Sequence, residues 1–224
     1  MANERMDADF MVSNEKTVDY TAQNIYLTGN TFGDKTKNVW LIFHGIGYLS
    51  KYFMKYFDSL DPEENYLVIP QAPSKYYLKN DYKYVGASWL TKENTQMEID
   101  NVLRYLDAVF EAENILPSVN LVVFGFSQGV SIASRWLAHT KVRCKELILY
   151  AGGIPNELTP KDFDFIDWNF TSIKMVYGSQ DAYLLPERLK LEKTKIEKLF
   201  KGHAQLVTFE GGHEMKPELL PTLI

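Results

Sequence analysis

An α/β fold, with a mostly parallel sheet lying between helical layers, is predicted by three features of the 224-residue sequence. Short apolar runs recur along the chain, those runs are mostly continuous rather than alternating, and amphipathic helical periods lie between them. A run that is apolar throughout suits a strand buried on both faces, as in a parallel sheet covered by helices. Alternation of such strands with helices gives that layering.

In chain order, "KTVDYTAQNIYLTGN" (16–30) is expected to supply one or two antiparallel edge strands. The buried strands are expected at "VWLIF" (39–43), "YLVIP" (66–70), "LVVF" (121–124), "LILY" (147–150), "IKMVY" (173–177) and "LVTF" (206–209). Ile99, Val102, Leu103, Leu106, Val109 and Phe110 follow helical spacing, and Val130, Ala133, Trp136 and Leu137 do so over a shorter span. Leu189, Ile196, Leu199 and Phe200 mark a third helix. Its other face carries Glu187, Arg188, Lys190, Glu192, Lys193 and Lys195, which reads as a solvated face. No repeat or low-complexity segment interrupts this order, so one domain over 1–224 is expected. A chain with 46% hydrophobic residues at this length has enough for one sizeable core.

The formal net charge of −5 argues against a polyanionic partner, so no nucleic-acid binding is expected. No stretch approaches the ~20 apolar residues a membrane helix needs, and no stable membrane insertion is expected. The N-terminal "MANERMDADFMVSNEK" lacks a basic start followed by an apolar run and does not read as a secretory signal. Cys144 is the single cysteine, which fits a reducing compartment. A cytoplasmic location is expected, although a secreted chain whose signal has been removed would read the same way. A homodimer is compatible with the sequence.

The chemistry-bearing stretch is "VVFGFSQGVSIA" (122–133). Gly125-Phe126-Ser127-Gln128-Gly129 matches G-x-S-x-G at a strand-to-helix turn. Crowding explains the glycines, because side chains at the flanks of so sharp a turn would strike the neighbouring strand or helix. Ligands in open α/β sheets sit beyond the carboxyl ends of the strands, which is where Ser127 falls. A serine hydroxyl needs a base, and the base needs an orienting acid. In this arrangement they follow in the order serine, acid, histidine. "IKMVYGSQD" puts Asp181 just past a strand, and "LVTFEGGHE" puts His213 just past the next. Asp162, Asp164 and Asp167 are rival acids but follow no strand directly. His44 precedes the serine, His139 sits near the far end of the following helix, and His203 precedes a strand. Ser127, Asp181 and His213 are therefore the expected catalytic residues. The Gln128 N–H at the helix start is one expected oxyanion donor. The Ile46 N–H, in the "HGIGYLS" loop after "VWLIF", is the other, with His44 bracing that loop.

Together these residues resemble the α/β-hydrolase superfamily, and more narrowly the phospholipase/carboxylesterase family that includes acyl-protein thioesterases. "FHGIG" is similar to the family's oxyanion loop, "GFSQG" to its nucleophile motif and "AGGIP" to the segment after the next strand. "IPQAP" followed by "SWL" resembles the stretch leading to a tryptophan near the site, here Trp89. The resemblance implies the same Ser127–Asp181–His213 triad and the Ile46 and Gln128 donors. The expected activity is hydrolysis of a small acyl ester or thioester without a cofactor, the alternatives being a non-enzymatic binding protein or a peptidase or amidase on the same fold. The chain departs from the family pattern at Tyr48, Val130 and Tyr177, and none of these removes a catalytic group.

No metal site is expected, since no His/Cys/Asp cluster has ligand spacing, and no phosphate loop or dinucleotide motif appears. Cys144 reads as a buried spacer. Gly153–Ser172 is too short to build a cap with its own core, so the site is expected to be open and minimally capped. Its walls are expected from the tyrosine-rich loop, with Tyr76, Tyr77, Tyr84 and Trp89 as substrate-pocket residues. Short to medium neutral acyl esters are the expected substrates, because the acidic balance of the chain disfavours strongly anionic ones.

Overall fold

All six of the predicted buried runs become parallel strands of one sheet in the computed structural model, which describes residues 13–224. They are β2 (Asn38–Phe43), β3 (Asn65–Pro70), β6 (Asn120–Phe126), β7 (Glu146–Tyr150), β8 (Ser172–Gly178) and β9 (Ala204–Phe209). A single antiparallel strand, β1 (Tyr26–Gly29), closes one edge against β3, pairing Tyr26 with Pro70 and Gly29 with Leu67. The order across the sheet is β1-β3-β2-β6-β7-β8-β9. The expectation about the N-terminal sixteen residues falls largely on 1–12, which lie outside the described residues, as does that part of the single-domain expectation.

Strand side chains alternate between two cores. Val39, Leu41, Phe43 and Val123 face one layer, while Trp40, Ile42, Val122 and Phe124 face the other. The first layer holds the three predicted helices, α2 (Thr95–Glu113), α3 (Gln128–Thr140) and α4 (Pro186–Leu199). They bury Val102, Leu106 and Val109, then Val130, Ala133 and Trp136, then Ile196 and Leu199. The second layer is thinner. It is built from α1 (Ser50–Phe53), the 3-10 turn that follows it and a C-terminal 3-10 turn (Pro217–Thr222), which contribute Phe53, Phe57 and Leu220. Helical cover is thus present on both faces but unequal.

Two features differ from expectation. β9 is an edge strand, and Leu206 in its apolar run is 47% exposed. The tyrosine-rich loop folds as an antiparallel hairpin, β4 (Ser74–Tyr77) with β5 (Val85–Ser88). Gly153–Ser172 builds no separate cap. Phe163 and Ile166 tuck into the main core, around a 3-10 turn at Pro160–Phe163. Among the described residues no helix is long and apolar enough to cross a membrane.

Candidate active site

β6 runs directly into Ser127, and α3 starts at the next residue. Ser127 has φ 54° and ψ −116°, a conformation that L-residues adopt only when their surroundings enforce it. The flanking glycines are part of that enforcement. A Cβ on Gly129 would lie 2.0 Å from the Phe43 carbonyl oxygen, and one on Gly125 would lie 2.4 Å from the Gly129 carbonyl oxygen. The Ser127 N–H is held by the Tyr150 carbonyl at 2.9 Å.

The loops after β8 and β9 are stitched to one another. Ser179 donates to the Phe209 carbonyl and Gln180 to the Gly211 carbonyl, each at 2.8 Å. That stitching brings Asp181 and His213 together across the strand ends. His213 Nδ1 lies 2.8 Å from Asp181 Oδ2, and His213 Nε2 lies 2.9 Å from Ser127 Oγ. The Asp181 side chain is fully buried, and its Oδ1 accepts the Tyr183 N–H at 2.8 Å. An ionised carboxylate only accepts hydrogen bonds, so Nδ1 carries the proton and Nε2 is left to accept from the serine hydroxyl. The imidazole is flanked by Phe126 and Tyr183, with ring centroids at 5.3 and 4.7 Å.

The rival groups are engaged elsewhere. Asp162 closes a capping box with Thr159, Asp164 pairs with Lys201, and Asp167 accepts the Asn169 N–H. His139 pairs with Asp107, and His203 stacks on Trp168. His44 is completely buried. Its Nδ1 donates to the Gly45 carbonyl and its Nε2 accepts the Ala72 N–H, and burial pushes its pKa down to about 4. It therefore stays neutral and holds the loop after β2. Cys144 is buried, and its thiol is pushed up to about 12 by desolvation.

Beyond β2, Gly47 donates to the Ala87 carbonyl and fixes the loop that carries Ile46. Among the described residues the Ile46 and Gln128 N–H groups have no protein acceptor, and both residues line the cleft that also holds Ser127. The sequence pointed only to the main chain of Gln128. Its side chain also works, accepting the Trp89 N–H at 2.9 Å and donating to the Leu90 carbonyl at 2.8 Å, so it ties the hairpin's end to the start of α3.

Ser127 and His213 line a cleft of about 670 Å³. The expected aromatic walls are not where the sequence placed them. Trp89 is wholly buried, with its indole N–H on the His44 carbonyl at 2.8 Å, and it does not reach the cleft. A buried indole must satisfy its N–H, and the acceptor lies beneath the loop. Tyr76, Tyr77 and Tyr84 sit on the exposed hairpin, outside the cleft lining. Tyr48 and Tyr183 line it instead, with Arg135, Arg188 and Lys195. Part of this was readable, because Gln128, Ser131 and Arg135 are spaced i, i+3, i+7 and so share the helix face at the serine. Among the described residues no group of His, Cys, Asp or Glu side chains is arranged to hold a metal ion.

A family model described as Phospholipase/Carboxylesterase matches residues 31–224. No curated protein sequence matches the chain. Among solved structures, acyl-protein thioesterase 2 from Zea mays superposes with a TM-score of 0.65 at 14% identity, covering 89% of this chain and 96% of that one. A phospholipase/carboxylesterase from Dyadobacter fermentans gives 0.62 at 20% identity, covering 91% and 95%. The Bacillus cereus carboxylesterase gives 0.61 at 16% identity, covering 91% and 96%.

Proposed function

Because the chain belongs to the phospholipase/carboxylesterase family, we propose that it hydrolyses carboxylic esters or thioesters through an acyl-enzyme on Ser127. The observation that supports this best is the unbroken hydrogen-bond chain Ser127–His213–Asp181 on the wall of an open cleft. Ser127 Oγ attacks the substrate carbonyl carbon as its proton passes to His213 Nε2. The buried Asp181 carboxylate keeps the other ring proton in place and balances the imidazolium that forms. Negative charge developing on the carbonyl oxygen is met by the Ile46 and Gln128 N–H groups, each contributing a few kcal/mol of the order seen for such donors. Collapse of the tetrahedral species breaks the bond to the alcohol or thiol, which leaves with the proton from His213. Water, deprotonated by the same histidine, then releases the acid and restores the hydroxyl. Tyr48 at the cleft, packed edge-on against Phe126, supplies an apolar wall for the acyl or leaving group.

The test is turnover of p-nitrophenyl esters and of a thioester with a matched acyl group by the purified chain and by Ser127→Ala. The variant removes one hydroxyl and is expected to fold normally while losing at least about a thousandfold in rate. Turnover that survives in the pure variant would refute the assignment.

A further inference from the structure

The cleft that holds Ser127 has the opposite charge balance to the molecule. Across the whole chain 24 Lys and Arg stand against 29 Asp and Glu. The cleft is lined by Arg135, Arg188 and Lys195 against Glu157 and Glu192. Two of its cations are already matched. Arg135 holds Glu157 at 2.6 Å. Lys195 meets Glu192 at 3.2 Å, and the other Glu192 oxygen is taken by the Ile154 N–H at 2.9 Å. Arg188 remains, and among the described residues its guanidinium makes no ion pair.

Its position connects it to the nucleophile. A Cβ on Gly153 would come within 3.1 Å of both Arg188 Nη2 and Glu192 Oε1, whose carboxylate is already shared between Lys195 and the Ile154 N–H, and one on the preceding Gly152 would lie 2.3 Å from the Ser127 carbonyl oxygen. The guanidinium therefore rests beside a strip of bare backbone that leads along the cleft wall from Ser127. A planar fork of donors with no internal partner is shaped for two-point recognition of a carboxylate. Arg188 lines the cleft while remaining exposed, so its charge is open both to a ligand and to screening by salt.

We infer that the preferred ester or thioester carries a second group, an anionic carboxylate, which Arg188 receives while Ser127 attacks the scissile carbonyl. This deepens the hydrolase function proposed above and rests on it. The carboxylate could be attached to the acyl part or to the alcohol part, and the experiment has an arm for each. In the acyl arm, kcat/KM for the p-nitrophenyl monoester of adipic acid is compared with that for the p-nitrophenyl ester of heptanoic acid. In the alcohol arm, acetylated para-hydroxybenzoate is compared with acetylated para-hydroxybenzamide. The anionic member is expected to win by about tenfold in at least one arm at low ionic strength. The preference should shrink as salt screens the pair. Arg188→Gln should remove it, and Arg188→Lys should keep part of it. Turnover without an anionic preference in either arm overturns this inference alone, as does a preference that survives in Arg188→Gln. No turnover of any ester overturns the hydrolase function and this inference with it.

Discussion

Of the four histidines, the most deeply buried is read as structural rather than catalytic, and it carries a pH signature. His44 is fully enclosed, and desolvation lowers its pKa to about 4 from the ordinary 6.5. Between those values the unfolded chain takes up a proton that the folded chain refuses. Stability contributed by neutral His44 is therefore fully present above about pH 6.5 and is lost as pH falls toward 4. The loss is on the order of 3 kcal/mol. Denaturant titrations of the wild type and His44→Gln at pH 7 and pH 4 isolate it from the carboxylates, which both proteins share. The wild type is expected to lose more stability than the variant by roughly that amount. Equal losses would mean that His44 is not held neutral by burial. His213 differs from His44 by being only partly buried and hydrogen-bonded at both ring nitrogens to an acid and a hydroxyl. That difference was readable in part, because chain order and strand ends singled out His213. Burial of His44 depends on Trp89 and Gln71 packing over it from distant segments, which no local pattern reveals.

At the scale of elements, the turn between β6 and α3 concentrates the constraint. Gly129 faces the Phe43 carbonyl so closely that even one methyl group has no room, and backbone cannot swing aside as a flexible side chain would. Gly129→Ala is expected to destabilise the fold by at least about 2 kcal/mol, seen as a lowered denaturation midpoint. An unchanged midpoint would mean that β2 and α3 are not packed at this distance. The strands and long helices were legible because each is a run or a period long enough to stand out. The β4/β5 hairpin was not. "SKYY" and "VGAS" hold no apolar run, and the hairpin is fixed from outside by the Gly47–Ala87 bond and the Gln128 side chain. The α1 segment was also missed, since Ser50–Phe53 is too short to show a period. For the same reason the tyrosines were assigned to the cleft. Sequence places them near the strand ends but says nothing about which way a hairpin turns.

The whole molecule sets two properties that no single element does, namely access and charge. With Phe163 and Ile166 drawn into the core, the Gly153–Ser172 segment lines the cleft through its first residues, from Gly153 to Glu157. A cleft of about 670 Å³ lies within the size range of small-ligand sites. The expected result is a kcat/KM that levels off or falls as the acyl chain of p-nitrophenyl esters lengthens. A steep rise toward the longest chains, or activation at a lipid–water interface, would contradict an open, uncapped site. Charge is a property that composition and site describe differently. The net value of −5 suggested that anions would be disfavoured. A substrate inside the cleft, however, meets first the side chains that line it, and among those Arg135, Arg188 and Lys195 stand against Glu157 and Glu192. Their placement depends on α3 and α4 converging on the β7 loop, a tertiary fact that summed composition cannot carry.

The most direct test of the central claim, that Ser127 is an activated nucleophile, is covalent labelling with a fluorophosphonate followed by mass spectrometry of the digested protein. The reagent mimics the tetrahedral species and reacts with a serine that a neighbouring base has activated. A single adduct on the peptide containing Ser127 is expected, absent from Ser127→Ala and from denatured protein. A folded protein that stays unlabelled, or one labelled at another residue, would contradict the claim.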